Sequence, residues 1–556
     1  MPRYLPVRYL SARLSVMPLL VGLLLAAASL TPSLIPRSWP MQGFLAGLSM
    51  AVGYGLTQFV LALWRSLELP VLRGRPARIS HAILAVPVLA TLVFCVASAR
   101  EWQNGIRERM GLPEVEVAHT TKILLLGAGV FLALFVIGLL IQGLFDVLRR
   151  RLARRIPARS ANVLGLLLAA TVVFVVTRDG VVNGTMRVLD RSYAAAQHLT
   201  DVSVPAPEQD WRTGSDASHV DWALTGRPGR EFILGGPDRQ AIETFNARPA
   251  IEPLRIYVGL AQDSDPRARA QIALDEMIRT GAFQRNVLVV ASPTGTGWMD
   301  PASYDVLEYM HDGDVATVAV QYSYLQSPLA LIAETESGLE QSAALMQKVY
   351  EYWSALPPNR RPRLYMHGIS LGAWSSMYAF NPFLMMDEPI DGALWVGPPF
   401  PSTLWQQANA ARSDASPFIL PEVDGGRVIR FASQFARPDR SGEPWGRIRI
   451  LFLQYASDPV VFYDATSAWR APPWMREPTA PDISPQLSFT PIVTLLQLGV
   501  DMLLSNTTPP GFGHNYHTHD YIDAWAAVTD PAGWSEERAR ALKAHCGQGI
   551  LGCPDG

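Results

Sequence analysis

The stretch RLYMHGISLGAWSSMYAF, residues 363–380, decides the fold of the C-terminal two-thirds of the chain. It consists of a short apolar strand-like run, the pentapeptide G-x-S-x-G over Gly368–Gly372, and the start of a helix. A sharp strand-to-helix turn of this kind holds its serine in a strained conformation with the hydroxyl exposed. The pattern predicts that Ser370 lies at such a turn, with the backbone N–H of Leu371 at the helix N-terminus.

The pentapeptide by itself is weak evidence, because a chain with 42 glycines can match it by chance. An ordinary turn is the alternative. The strand-like run before it and the helix-like run after it favour the strained turn. In that setting the Ser370 hydroxyl is suited to nucleophilic attack, and the N–H of Leu371 is suited to binding a developing oxyanion.

Short apolar runs alternate with helix-like runs on both sides of this stretch. Alternation of this kind predicts an α/β fold, a mostly parallel sheet with helices on both faces. The strand-like runs are 255–260, 287–291, 315–322, 363–367, 392–396 and 448–454, and the helix-like runs are 267–280, 336–355 and 371–380.

An acidic candidate follows the last strand-like run. Asp458 lies in YASDPV, directly after residues 448–454, at the carboxyl end of a strand, where the active sites of α/β proteins gather. The alternative is a turn or helix-capping aspartate, and Asp464 is a nearby competitor.

Three histidines in GFGHNYHTHDYIDAW compete for the role of general base: His514, His517 and His519. Gly511 and Gly513 let the chain turn tightly before His514. The other two lie nearer the N-terminus of an apparent helix, whose dipole disfavours the imidazolium that the base must become. The argument favours His514 and completes the order serine, acid, histidine.

The same histidines form, with Asp520, the pattern H-x₂-H-x-H-D, whose density of ligands could bind zinc. Tyr521 stands where a further histidine would be needed, and no other His/Cys cluster follows in the expected order. One catalytic histidine with two polar loop residues is the simpler interpretation. The sequence predicts no metal and no cofactor.

A loop rich in glycine and threonine, SPTGTGW over residues 292–298, follows the strand-like run 287–291. Its place after an early strand predicts a second backbone oxyanion donor at Thr294 or Gly295. A phosphate-binding loop is the alternative. The loop lacks the G-K-[ST] of a P-loop and the third glycine of a dinucleotide-binding loop.

The N-terminal third differs in composition. Only 17% of the 556 residues are charged, against about 25% in an average soluble domain, and the apolar excess lies before residue 180. About 20 apolar residues cross a bilayer as a helix, so we expect about five transmembrane helices rather than buried core helices. The uncharged runs are 14–35, 41–64, 79–99, 123–145 and 160–177.

These patterns divide the chain into a transmembrane domain over 1–180, a linker with peripheral structure over 181–250, and a catalytic domain over 251–556. A net charge of −2 gives no electrostatic support for a nucleic-acid partner, and three cysteines exclude a disulfide-built scaffold.

Arginines indicate the orientation. They are dense before the first apolar run, over 65–78 and over 149–159, and such short loops stay cytoplasmic. Five crossings then place the N-terminus in the cytoplasm and the catalytic domain outside it. The first run could instead be a cleaved signal sequence, which would leave this orientation unchanged.

Two C-terminal features depend on that location. The 55 residues between Asp458 and His514 include the apolar run 489–504, which we interpret as a lid-like insert over about 465–510 or a helix covering the sheet. Cys546 and Cys553 would be bridged in an oxidising compartment, although their spacing alone is not diagnostic.

The chain resembles a bacterial membrane-anchored α/β-hydrolase family, in which a multi-helix membrane region precedes the hydrolase domain. The residues carrying this resemblance are LRIYVGL (254–260), RTGAF (279–283), SPTGTGWMDP (292–301), VQYSYLQS (320–327), HGISLG (367–372), LQYASDPVVF (453–462) and GHNY (513–516). The resemblance implies that Ser370 is the nucleophile, Asp458 the acid and His514 the base.

The expected function is therefore a serine hydrolase anchored in the bacterial inner membrane, with a periplasmic catalytic domain. Its partners would be the lipid bilayer and an acyl or ester substrate, such as a lipid or envelope component. One alternative is an acyltransferase that uses the same triad. A second is a non-enzymatic membrane scaffold, against which the complete set of serine, aspartate and histidine argues.

Overall fold

A computed structural model describes residues 14–117, 119–175, 204–325, 335–383, 385–440, 443–547, 549 and 552–554. Residues 326 and 327 of the motif VQYSYLQS, the end of the fifth apolar run and residues 181–203 of the expected linker lie outside the described residues. The chain forms two compact units. The N-terminal unit contains the N-terminal helices and the insert Asp464–Leu504, and the C-terminal unit contains the rest.

Sixteen α-helices occur in the described part of the chain. They are α1 Val16–Ala28, α2 Trp39–Ser66, α3 Arg75–Arg109, α4 Thr120–Leu152, α5 Ala158–Val175, α6 Arg227–Leu234, α7 Arg239–Asn246, α8 Pro266–Thr280, α9 Pro301–Met310, α10 Thr335–Ala355, α11 Leu371–Ala379, α12 Thr403–Ala410, α13 Pro459–Phe462, α14 Val493–Leu504, α15 Thr518–Thr529 and α16 Glu536–Cys546.

Each of the five apolar runs forms a helix, α1 to α5. By length and composition, α2, α3 and α4 can each cross a membrane. Helix α1 has only 13 residues and is shorter than the run that predicted it. Pro32 lies in this run after the end of α1, and Pro36 comes directly after the run. Proline disfavours helical backbone in the residue that precedes it. The N-terminal unit is thus built on a core of three long apolar helices.

Small residues let these helices approach closely. A Cβ added at Gly47 of α2 would lie 2.5 Å from the carbonyl oxygen of Gly127 on α4, and one at Gly53 would lie 3.1 Å from the Cα of Gly22 on α1. Glycines at helix crossings are typical of membrane helix bundles, where close backbone packing replaces the hydrophobic driving force.

The insert belongs to this unit through buried polar contacts with the segment between α1 and α2. The Asp501 carboxylate of α14 accepts hydrogen bonds from the Arg37 Nε at 2.8 Å and from the Leu34 backbone N–H at 3.1 Å. Gln497 Nε2 donates to the carbonyl oxygen of Thr31 at 3.0 Å. Helix α14 is therefore held by charge and hydrogen bonding as well as by apolar packing.

The C-terminal unit contains a seven-stranded, fully parallel sheet in the order β1-β3-β2-β4-β5-β7-β6. The strands are β1 Leu254–Val258, β2 Val287–Ser292, β3 Val315–Val320, β4 Arg363–Ile369, β5 Gly392–Val396, β6 Ile429–Ala432 and β7 Arg449–Leu453. The predicted α/β class and all six predicted strands are confirmed. The edge strand β6 was not predicted, because it has four residues and carries Arg430.

Helices cover both faces of this sheet. Helices α8, α10 and α11 pack together on one face, while α9, α15 and α16 pack together on the other. Alternate strand residues, among them Val287, Val289 and Ala291, share a core with Tyr521 and Trp525 of α15. Both faces of the central strands are buried, which explains their uninterrupted apolar sequences. The carboxyl ends of β2, β4, β5 and β7 then present their loops at one edge of the sheet.

Candidate active site

Ser370 lies at the turn between β4 and α11. Its backbone has φ 57° and ψ −128°, a conformation that residues with a side chain rarely adopt, and its carbonyl accepts the N–H of Trp374 at 3.2 Å. Leu371 is the first residue of α11, so its N–H has no acceptor within the helix. The strand, the strained serine and the helix occur as the sequence predicts, whereas Ser370 is buried rather than exposed.

Both flanking positions require glycine, because a side chain at either one would clash with neighbouring backbone atoms. A Cβ at Gly368 would lie 2.3 Å from the carbonyl carbon of Gly372, and one at Gly372 would lie 2.1 Å from the carbonyl oxygen of Ser292. The second contact places the end of β2 directly against the turn. The loop after β2 is thereby positioned beside Ser370.

Asp458 and His514 form a buried pair. The Nδ1 atom of His514 lies 2.6 Å from Oδ2 of Asp458, whose side chain is fully buried. Asp458 begins α13 after β7, and His514 follows the turn at Gly513, whose N–H donates to the Ser457 hydroxyl at 3.0 Å. Ser457 and Gly513, which directly precede Asp458 and His514, therefore hold the two loops together.

Two further donors fix the Asp458 carboxylate. The Val460 N–H donates to Oδ1 at 2.8 Å, and the Tyr516 hydroxyl donates to Oδ2 at 2.7 Å. Burial raises the pKa of Tyr516 well above its ordinary value, and the Asp458 charge acts in the same direction, so this hydroxyl stays a donor. Tyr516 was not assigned a role from the sequence, although it lies in the motif GHNY.

The other ring nitrogen of His514 does not take part in the contact with Asp458. Its Nε2 is buried and has no hydrogen-bond partner among the residues that the structure describes. The ring lies beside Gly397, where an added Cβ would be 2.7 Å from Cε1. The preceding residue, Val396, accepts the backbone N–H of Ser370 at 2.9 Å. Ser370 therefore contacts the last residue of β5, and His514 lies beside the residue that follows it.

The other two histidines have different surroundings. His517 precedes the first residue of α15, and its Nδ1 lies 3.8 Å from Asp520, too far for a hydrogen bond. His519 Nε2 contacts the carbonyl oxygen of Lys543 at 2.8 Å. Neither makes the contact with Asp458 that His514 makes. The competing acid, Asp464, accepts the Thr466 N–H at 2.7 Å and belongs to the N-terminal unit.

The proposed oxyanion loop already uses the N–H of one of its two candidate donors. The Thr294 N–H donates to the carbonyl oxygen of Trp298 at 3.1 Å, so it is already used in the loop's own turn. Gly295 lies at the tip of the same turn, which the Gly297 N–H closes on the Thr294 carbonyl at 2.9 Å. Of the two loop donors predicted from the sequence, Gly295 is therefore the better candidate.

A buried carboxyl that was not singled out from the sequence follows this loop. Asp300 accepts the Ala302 N–H at 3.1 Å and the Tyr521 hydroxyl at 2.7 Å. Burial raises the pKa of Asp300 to about 7. An aspartate before a proline is typical of an ordinary helix cap, so its burial could not be predicted from the sequence.

The last of the predicted residues lie away from this site. Cys546 ends α16 and forms a disulfide with Cys553. The N–H of Cys553 donates to the buried Asp305 carboxylate at 3.0 Å. The disulfide joins Cys553 to the end of α16, and this hydrogen bond joins Cys553 to α9.

A model of the alpha/beta-hydrolase family matches residues 254–542, and a model of that family's N-terminal region matches residues 30–237. The first match covers more than half of the chain and includes every residue of the site described above. No curated protein and no solved structure is significantly similar to the chain.

Proposed function

The chain belongs to the alpha/beta-hydrolase family, and from this premise we propose that it is a membrane-anchored serine hydrolase that cleaves an ester or related acyl bond. The observation that carries the proposal is the buried Asp458–His514 pair, whose imidazole lies beside the segment that bonds to Ser370. The strained backbone of Ser370 adds independent support, because strain of this kind gathers at functional sites.

The contacts of His514 define its part in the mechanism. In the tautomer whose Nδ1–H donates to the Asp458 carboxylate, Nε2 carries the lone pair and can take the proton of the Ser370 hydroxyl as that oxygen attacks the carbonyl carbon. The Asp458 carboxylate then stabilises the imidazolium. His514 returns the proton to the leaving group, and water releases the acyl group by the same route.

The oxyanion of the tetrahedral intermediate would accept hydrogen bonds from backbone N–H groups of Leu371 and Gly295. Fixed donors of this kind need no rearrangement as charge develops. The helix dipole of α11 adds a favourable field at Leu371.

We further propose that the catalytic domain lies outside the cytoplasm. The arginines of residues 65–78 and 149–159 lie at one end of the long helices, and the segments joining α1 to α2 and α3 to α4 lie at the other. Asp501 of the insert is bonded to the segment between α1 and α2. At both ends the insert continues in the chain into residues of the C-terminal unit. This connectivity supports a position of the catalytic domain outside the cytoplasm.

Reporter fusions test this orientation. A reporter that is active only outside the cytoplasm should be active after residue 556 and silent within residues 149–159. The reverse pattern would place the catalytic domain in the cytoplasm.

Anchoring in a membrane favours a lipid, a lipidated molecule or another envelope ester as the substrate. Cells lacking the protein and cells carrying Ser370→Ala should accumulate the same ester, which comparison of their lipid profiles would reveal. Different profiles would separate the phenotype from the hydrolase activity.

A fluorophosphonate probe tests the activity directly. The full-length protein should be labelled on the Ser370 peptide, and Ser370→Ala should not be labelled. Ser375→Ala is the matched control, because Ser375 is likewise a buried serine and lies within α11, the helix that follows Ser370. Labelling that persists in Ser370→Ala would exclude Ser370 as the nucleophile.

A further inference from the structure

A second site lies in the N-terminal unit, among the segment between α1 and α2, the end of α3 and the start of α4. These elements enclose a cavity of about 220 Å³. A water molecule occupies about 30 Å³ in the liquid, so the space is several times that of one water. We call it the helix-end cavity.

Most of its wall is apolar. Leu30, Val96, Ile123 and Leu124 are among the lining residues, and exposed carbon predominates over exposed polar surface inside it. Leu124 and Val117, at its edge, are 48% and 60% exposed on the outside of the unit. The cavity therefore adjoins an apolar outer surface, along which a hydrocarbon chain could continue.

Two buried donors at the cavity have no acceptor. Arg37 Nη2 and Gln103 Nε2 are buried, both residues line the cavity, and neither atom has a hydrogen-bond partner among the described residues. Arg37 is only 6% exposed. A buried donor left without an acceptor costs about 1–3 kcal/mol, so an oxygen acceptor would relieve both.

The orientation of these donors is fixed by their other contacts. Arg37 donates from Nε to Asp501 at 2.8 Å and from Nη1 to Gln42 at 3.2 Å. Gln103 Oε1 accepts the Arg37 backbone N–H at 2.9 Å, which leaves its amide N–H₂ for another partner. These contacts hold both side chains in place.

The charge of the lining favours an anion. Asp501 balances Arg37, and the lining adds Arg100 and Arg107 but contains no aspartate or glutamate. Arg100 Nε and Arg107 Nε donate to the carbonyl oxygens of Val115 and Pro113, which anchors both guanidinium groups near the cavity. Arginine is well suited to carboxylate and phosphate oxygens.

We propose that the helix-end cavity binds an anionic amphiphile, with its carboxylate or phosphate at Arg37 and Gln103 and its hydrocarbon chain against the apolar wall. This site is separate from the proposed active site and does not depend on the proposed function. A fatty-acid carboxylate and a lipid phosphate share the required chemistry, and the experiment distinguishes them.

The test uses the full-length protein in phosphatidylcholine nanodiscs. Two diazirine probes, palmitic acid and phosphatidic acid, are crosslinked by light and the labelled peptides are identified by mass spectrometry. Labelling should map to α2, α3 and α4 around the cavity. Labelling by one probe alone identifies the source of the anion, and labelling of these peptides by neither probe overturns the proposal.

Filling the cavity provides the matched comparison. Ala99→Trp places a large side chain at the lining, whereas Ala97→Trp makes the same change on an exposed residue of α3 outside the cavity. Labelling should fall about tenfold in Ala99→Trp and stay unchanged in Ala97→Trp. Thermal unfolding of both variants checks their folding. Equal effects of the two substitutions would overturn the proposal.

Charge recognition is tested separately. Unlabelled palmitate should compete at about tenfold lower concentration than its uncharged methyl ester, and the difference should shrink in Arg100→Gln/Arg107→Gln. Arg109→Gln, on the same helix but outside the cavity, should retain it. Equal competition by acid and ester in the wild-type protein would show that the cavity does not recognise the anion.

Discussion

In the C-terminal unit, one nitrogen of His514 is bonded to Asp458, and the other has no partner among the described residues. In the N-terminal unit, the unpartnered atoms at the helix-end cavity are N–H groups, on Arg37 and Gln103. The first is the nitrogen that we propose takes the serine proton, and the second are N–H donors without an acceptor among the described residues. The kind of atom that is left unpartnered therefore indicates the chemistry that each site can support.

The largest effect should come from removing the lone pair. We expect His514→Gln to lower kcat by about three orders of magnitude or more, because glutamine cannot carry the proton between serine and leaving group. The assay is hydrolysis of one activated ester by the full-length protein.

His517→Gln and His519→Gln are the matched controls, since both change a histidine within five residues without touching Asp458. Both should retain substantial activity. If one of them is inactive and His514→Gln is active, the general base is assigned to the wrong residue, and the comparison fails on its catalytic side.

The next effect concerns the charge that orients Arg37. Asp501→Ala leaves Arg37 buried without its partner, and we expect a loss of about 3–5 kcal/mol in the free energy of unfolding. The double variant Arg37→Met/Asp501→Leu removes both charges and should recover most of the loss. Thermal unfolding of the full chain in detergent measures both.

Arg109→Gln is the control for this experiment, because Arg109 donates to Pro481 of the insert at an exposed position. It should cost well under 1 kcal/mol. Wild-type stability of Asp501→Ala would show that the buried ion pair does not hold the insert in the N-terminal unit.

These two sites differ in how far the sequence predicted them. The parallel strands and Ser370 were predictable, because buried strands are uninterrupted apolar runs and the turn between strand and helix needs small residues at fixed spacing. The contact of Asp458 with Tyr516 was not, because tyrosine in a motif carries no signal of the direction of its hydroxyl. Helix α9 was also missed, since most of its residues are buried and it shows no apolar stripe.

The helix-end cavity could not be predicted at all. Arg37, Gln103 and Asp501 are far apart in the chain, and each is individually typical of a polar loop or helix end. Only the packing of α14 against the segment between α1 and α2 makes their burial and their missing acceptors visible. Sequence patterns report local periodicity, whereas unsatisfied hydrogen bonds depend on tertiary contacts.

A smaller effect should come from the second donor to Asp458. Tyr516→Phe removes the hydroxyl from Oδ2, the same oxygen that contacts His514, and we expect kcat to fall about tenfold to a hundredfold. Tyr304→Phe is the control, because this buried hydroxyl donates to the Met299 sulfur, at 3.9 Å, and not to a residue of the site. An unchanged kcat in Tyr516→Phe would show that Asp458 does not need this donor.

The smallest expected effect is a pH dependence of stability at Asp300. Its pKa is raised to about 7 by burial, whereas an aspartate in the unfolded chain titrates near 3.9. Between about pH 4 and pH 7, the folded protein therefore holds a proton that the unfolded chain has released. The contribution of Asp300 to stability falls as the pH rises through this window and is lost above about pH 7.

From pH 6 to pH 7 the loss should be about 1 kcal/mol, and Asp300→Asn should lack it. Asparagine still caps α9 and offers an oxygen to Tyr521. Burial lowers the pKa of His367 to about 4 and of His311 to about 3, which makes stability rise with pH up to about 6.5. The measured quantity is therefore the difference between variant and wild type at each pH, in which the histidines cancel. The free energy of unfolding of the variant should increase relative to that of the wild type as the pH rises. A difference that stays constant from pH 5 to pH 8 would show that Asp300 does not bind a proton in the folded state.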